Sequence, residues 1–140
     1  MTAAQRRTIL LGLLAALSYY ALLSLVAPAL PYVPIPAWWR DVWLSPGAAA
    51  LTWFGLMDAA AAFFAAVPVA VLLIWRIREG ASAVGLATGV LVAAYVLCSA
   101  VVEYGTGSKI LFAAANQFIW VSLALPVVAL ILGRGKNIRD

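Results

Sequence analysis

The chain of 140 residues contains no histidine and a single cysteine. Histidine supplies the usual axial ligand of haem, the commonest protein ligand of zinc and copper, and the base of a Ser-His-Asp site. Its absence argues against haem and metal proteins and against hydrolases of that kind, so the sequence predicts no metal site and no cofactor. Cys98 has no second thiol with which to form an intrachain disulfide, and it implies no redox chemistry.

Charged residues are also scarce, at 10% of the chain, whereas 66% of the residues are hydrophobic. No glycine-rich phosphate loop is present, and the short stretch 105–108 is too small to serve as one. The net charge of +4 requires no nucleic-acid partner, because basic fringes that face anionic lipid account for it. The composition therefore predicts an integral membrane protein that has the lipid bilayer around it and binds no nucleic acid.

Four apolar stretches are each long enough to cross a bilayer, which needs about 20 helical residues. The first ends at the proline-rich segment 28–36, and the second begins at Ser45 and Pro46, a typical N-cap followed by a first-turn proline. We predict an all-α integral membrane protein, a four-transmembrane-helix bundle forming one domain over residues 1–140. The approximate spans are 8–26, 46–75, 81–104 and 109–132.

The basic residues are unevenly distributed between the two sides of this topology. Of the nine, only Arg40 and Lys109 lie on one side. The other seven are Arg6, Arg7, Arg76, Arg78, Arg134, Lys136 and Arg139. Because cytoplasmic flanks are rich in lysine and arginine, we expect both termini in the cytoplasm of a bacterium, with the protein in its inner membrane. A cleaved signal peptide is the alternative for the first span, but the apolar run is longer than a usual signal core.

The outward segment between the first two spans combines prolines with tryptophans. It predicts a short extended stretch that leads into an interfacial helix, with Trp39 and Trp43 on one face. Indoles at headgroup depth would anchor the chain, whereas tryptophan and arginine are also enriched where partners bind. The candidate partner or interface residues are Trp38, Trp39, Arg40 and Trp43.

Small residues recur at intervals of four in the third span, at Ala81, Gly85, Gly89 and Ala93. Such a stripe allows another helix backbone to approach closely. In a chain with four spans we expect the stripe to pack within the protein's own bundle, and a homodimer face is the alternative.

Polar side chains inside apolar spans are energetically unfavourable, so each one is a functional hypothesis. Counted along their spans, these residues fall in the outer half of the membrane and predict an outward-opening polar pocket. Its candidate binding residues are Asp58, Glu103, Asn116, Gln117, Tyr19, Tyr20, Tyr95 and Ser99. Asp58 serves there either as a structural or partner contact or as a carrier of protons or substrate, and the sequence leaves both open.

The leading functional hypothesis is a non-catalytic subunit or accessory protein of a membrane complex, which binds a membrane-protein partner. A small homo-oligomeric transporter or channel that uses Asp58 as an intramembrane carboxylate is the main competitor. A toxin-immunity or lipid-binding membrane protein is the third. Asp58 and Glu103 as an acid pair would be the route to catalysis, but no flanking motif supports it, so a role without catalysis is favoured.

Overall fold

The computed structural model describes residues 1–77 and 79–136, and within these ranges the chain is helical and contains no strand. The elements are α1 (Ala3–Val26), a 3-10 helix (Ala27–Tyr32), α2 (Ala37–Val42), α3 (Pro46–Ile77), α4 (Ala81–Tyr104) and α5 (Ser108–Lys136). Helices α1, α3, α4 and α5 are long and apolar enough to cross a membrane. The predicted all-α class with four such helices is confirmed. Arg78 and Arg139 of the predicted basic side lie outside the described residues, as do the side chains of Lys109 and Lys136.

Helix α1 begins well before the apolar run that predicted it. The hydroxyl of Thr2 accepts a hydrogen bond from the Gln5 backbone at 3.2 Å, and the Thr2 backbone donates to Gln5 Oε1 at 2.8 Å. This reciprocal pair is a capping box, which satisfies two otherwise free backbone donors. Hydropathy therefore marks the apolar part of α1, whereas the capping residues mark its start.

The predicted start of the second long helix is present in the structure. Helix α3 begins at Pro46, and Ser45 Oγ accepts a hydrogen bond from the Ala48 backbone at 3.2 Å. Helices α3 and α5 both continue past an internal proline, Pro68 and Pro126 respectively. Helix α4 ends at Tyr104 and is followed by the capping residue Gly105, whose φ of 81° lies in the left-handed region that favours glycine.

The segment after α1 is less extended than the sequence suggested. A 3-10 helix follows α1 without a break, and only the four residues 33–36 before α2 lack regular helical structure. Proline fixes φ near −65°, a value that 3-10 geometry accepts, and its missing N–H removes the bonds of a regular α-helix. The proline-rich segment therefore first forms a 3-10 helix and then a short stretch without regular structure.

The four long helices form a bundle in which α5 packs most extensively, against α4 and α3. Helix α1 packs on α3 and α4, so that α1 and α5 lie diagonally opposite each other. The core between them consists largely of alanine, including Ala62, Ala66 and Ala70, which are fully buried. Small side chains at the centre allow the helix backbones to come close together.

The small-residue stripe of α4 is buried inside this bundle. All four of its members, Ala81, Gly85, Gly89 and Ala93, are buried within the chain. A Cβ atom added at Gly89 would lie 2.7 Å from the Ser122 carbonyl oxygen of α5, closer than real Cβ contacts allow. At Gly85 the nearest atoms would be those of Leu125 and Pro126, at 3.5 Å. The two glycines of the stripe therefore pack against α5 of the same chain.

Candidate functional site

Asp58 lies in the contact between α3 and α5, where its side chain is half-buried. Its carboxyl group lies close to the side-chain amide of Asn116 in α5. The amide oxygen of Asn116 in turn accepts a hydrogen bond from Trp120 Nε1 at 3.2 Å, which leaves the amide N–H groups to donate to Asp58. We call Asp58, Asn116 and Trp120 the polar seam.

A glycine makes room for the polar seam. A Cβ atom added at Gly55, one helical turn before Asp58, would lie 3.2 Å from Asn116 Nδ2. The indole of Trp120 also packs beside Phe63 of α3, with 6.4 Å between ring centroids. The space left by Gly55, the approach of Asp58 to Asn116 and the contact of Phe63 with Trp120 therefore all lie in the contact between α3 and α5.

Tyr19 connects the diagonal helices. Its side chain is fully buried, and its hydroxyl lies 3.1 Å from the Val121 carbonyl oxygen of α5 and 3.4 Å from that of Ala62 in α3. The single phenolic proton is shared between two acceptors that already belong to helix ladders. The buried hydroxyl of Tyr19 therefore joins α1 to α3 and to α5.

A cavity of about 250 Å³ opens between the carboxyl-terminal halves of α1 and α4. Its polar lining residues are Tyr20, Ser24, Tyr95, Ser99, Glu103, Tyr104 and Gln117. Tyr20 and Tyr95, which both line it, are in direct edge-to-face contact, with centroids 5.2 Å apart and an interplanar angle of 89°. Large aromatic residues therefore occupy the contact between α1 and α4, whereas small residues allow α4 to pack closely on α5.

The segment around α2 forms a tryptophan cluster on the start of α3. Trp39 Nε1 lies 3.1 Å from the Ala49 carbonyl oxygen and 3.3 Å from Thr52 Oγ1, and both atoms accept. Its ring packs against Trp53 at 5.6 Å. The neighbouring Trp38 is 62% exposed, and Arg40 is also exposed.

The eight residues predicted to form one polar pocket are distributed over three places. Five of them line the cavity between α1 and α4: Tyr20, Tyr95, Ser99, Glu103 and Gln117. Asp58 and Asn116 belong to the polar seam, and Tyr19 is buried on the helix carbonyls. The two carboxylates Asp58 and Glu103 therefore sit on different helix contacts.

Sequence reasoning did not single out Trp120, Tyr104 or Trp53. Trp120 lies four residues after Asn116, a spacing that places the two side chains together on one helix face, so this partner was accessible from the sequence. Tyr104 directly follows Glu103. Trp53 is brought to Trp39 by the fold of the loop onto α3, which no local spacing encodes.

Comparison of the chain with protein-family models, curated proteins and solved structures finds no match.

Proposed function

We propose that the chain is a multi-pass protein of a bacterial inner membrane, with both termini in the cytoplasm, and that it is a non-catalytic accessory subunit that binds another membrane protein. The exterior of the bundle supports insertion, because large apolar side chains are exposed on all four long helices. Among them are Leu17, Phe64, Leu91 and Ile131. Lipid tails solvate such a surface, whereas in water it would drive aggregation.

The basic residues support the orientation. Arg6 at the start of α1, Arg76 at the end of α3 and Arg134 near the end of α5 are all exposed. In a bundle of alternating helices these three positions lie at the same end. The enrichment of basic residues in cytoplasmic flanks, which face anionic lipid, supports the cytoplasm as the location of that end.

The observation that carries the partner-binding role is the fixed tryptophan cluster. Trp39 is held by two hydrogen bonds to α3 and by its contact with Trp53, while Trp38 and Arg40 beside it are exposed. An exposed tryptophan next to an arginine is typical of the few residues that dominate a protein interface. Preorganisation also reduces the loss of conformational entropy when a partner binds.

The polar seam supports a role without chemistry at Asp58. The carboxyl group lies beside the Asn116 amide, whose oxygen accepts a hydrogen bond from Trp120. A carboxylate placed in this way specifies how α3 and α5 pack, as interhelical hydrogen bonds do in membranes. Asp58 then acts within the bundle, and the tryptophan cluster is the surface that meets the partner.

Native mass spectrometry tests the partner-binding role on the full chain, produced at its natural level and extracted gently with its lipid. We expect a larger membrane protein in stoichiometric amount, and Trp38→Ala combined with Arg40→Ala should reduce its recovery by about tenfold or more. Trp75→Ala is the matched control, because Trp75 is equally exposed at the opposite end of the bundle. A homo-oligomer without a partner, or equal losses in both variants, would contradict the proposal.

The orientation is tested with introduced cysteines in a Cys98→Ser background. In intact spheroplasts a membrane-impermeant maleimide should label Leu44→Cys, because Leu44 is fully exposed beside the tryptophan cluster. Glu79→Cys, in the turn between α3 and α4, should react only after permeabilisation. The reverse pattern would show that the topology is inverted.

A further inference from the structure

The cavity between α1 and α4 brings together aromatic rings and a carboxylate. Three tyrosines, Tyr20, Tyr95 and Tyr104, line it together with Glu103. Aromatic faces attract cations through the negative potential above the ring, and a carboxylate supplies the opposite charge. This combination recognises an ammonium group.

We infer that the cavity between α1 and α4 binds the ammonium group of an organic cation or of a zwitterionic lipid headgroup. The site goes beyond the accessory role, and it requires no protein partner. It lies on a different element of the chain from the tryptophan cluster.

The tyrosine pair is arranged to present a ring face. Tyr20 and Tyr95 meet at 89° with 5.2 Å between centroids, so that the edge of one ring rests on the other. In an edge-to-face pair the planes of the two rings are at right angles. Both rings border the cavity, where their π systems attract a bound cation.

The negative charge lies two helical turns beyond the tyrosine pair, because Glu103 follows Tyr95 by eight residues, about 12 Å along α4. Glu103 and Tyr104 are the last two residues of α4, and both line the cavity. Helix carboxyl termini carry partial negative charge, which favours a cation. The Glu103 carboxylate and the carboxyl terminus of α4 therefore both attract a bound ammonium group.

The remaining polar lining suits the atoms next to the ammonium group. Ser24, Ser99 and Gln117 supply hydroxyl and amide donors. They would bind the phosphate oxygens of a lipid headgroup or the hydroxyl of a free amino alcohol. At about 250 Å³ the cavity is below the range of drug-sized sites, so the ligand is small or only its headgroup enters.

The first test uses choline and its uncharged isostere 3,3-dimethylbutan-1-ol, with the full chain in nanodiscs of phosphatidylglycerol, a lipid without an ammonium group. Saturation-transfer NMR should detect choline and not the isostere. Glu103→Gln and Tyr95→Leu should each weaken choline binding by about tenfold. Asp41→Asn and Tyr32→Leu are the matched controls, because both residues are exposed outside the cavity, and they should leave binding unchanged.

The second test distinguishes a lipid from a free cation. After delipidation, native mass spectrometry compares retained phosphatidylethanolamine and phosphatidylcholine with phosphatidylglycerol. If choline does not bind but the zwitterionic lipids are retained selectively, and Glu103→Gln abolishes that selectivity while Asp41→Asn preserves it, the ligand is a headgroup. The inference is overturned if neither assay detects selectivity, if the isostere binds as well as choline, or if Glu103→Gln and Asp41→Asn behave alike. Loss of the protein partner changes none of these readouts.

Discussion

The two contact faces of α4 are built from residues of different size. Towards α5 the helix presents Gly85 and Gly89, and the backbones approach until a single added methyl group would meet a carbonyl oxygen. Towards α1 it presents Tyr95, which meets Tyr20 and leaves a cavity of about 250 Å³. The size of the residues in each helix–helix contact sets the distance between the two helices. Where the helices are close, a polar side chain packs between them, and where they are further apart it lines a cavity.

The largest effect is expected from the same substitution made in both contacts. Gly89→Ala should destabilise the bundle by about 2 kcal/mol, because the new Cβ would lie 2.7 Å from Ser122 O and the backbones must separate. Gly12→Ala faces Val84 Cγ1 at 3.7 Å, an ordinary contact, and should stabilise α1 by up to about 1 kcal/mol through helix propensity. Unfolding by SDS titration measures both. Equal responses would show that the two contacts are packed alike.

The next contrast lies between the adjacent residues Asn116 and Gln117. Asn116→Leu removes the partner of Asp58 and of the Trp120 indole, and should destabilise the bundle by about 1.5 kcal/mol. Gln117→Leu changes a cavity wall and should have an effect within about 0.5 kcal/mol. The same unfolding assay compares them.

A double-mutant cycle tests whether the Asn116 effect belongs to the polar seam. Asp58→Leu combined with Asn116→Leu should be less destabilising than the sum of the single changes, because neither polar group is then left without its partner. Strict additivity would mean that Asp58 and Asn116 do not interact energetically.

A smaller effect separates the neighbouring tyrosines. Tyr19→Phe removes a hydroxyl that is buried against the Val121 and Ala62 carbonyls, and should lower stability by about 1 kcal/mol. Tyr20→Phe removes a hydroxyl at the cavity and should change stability by less than about 0.5 kcal/mol. Both variants keep the ring, so thermal unfolding in one detergent isolates the hydroxyl. A larger loss at Tyr20 would reverse the assignment of these two roles.

The sequence predicted the four helices because span length and an apolar run are local properties. It also predicted the cap at Ser45, whose signal is two adjacent residues. It did not predict which helix–helix contact each polar residue would occupy. Position along a span gives the depth of a residue, but the order of helices around the bundle decides its neighbour, and no local period encodes that order. Tyr19 and Tyr20 have nearly the same depth, yet they point about 100° apart and meet different helices.

The smallest effect is expected at Asp58, and it separates the two carboxylates. Asp58→Asn keeps an oxygen that accepts from Asn116, so stability should change by less than about 0.5 kcal/mol, and recovery of a protein partner should be unchanged. Glu103→Gln should also fold normally, while it loses ammonium binding at the cavity. Proteoliposome flux provides the opposing measurement. If the chain moves an ion or solute and Asp58→Asn abolishes that flux while Glu103→Gln does not, the polar seam is a transport site, and the packing role assigned to Asp58 is incorrect.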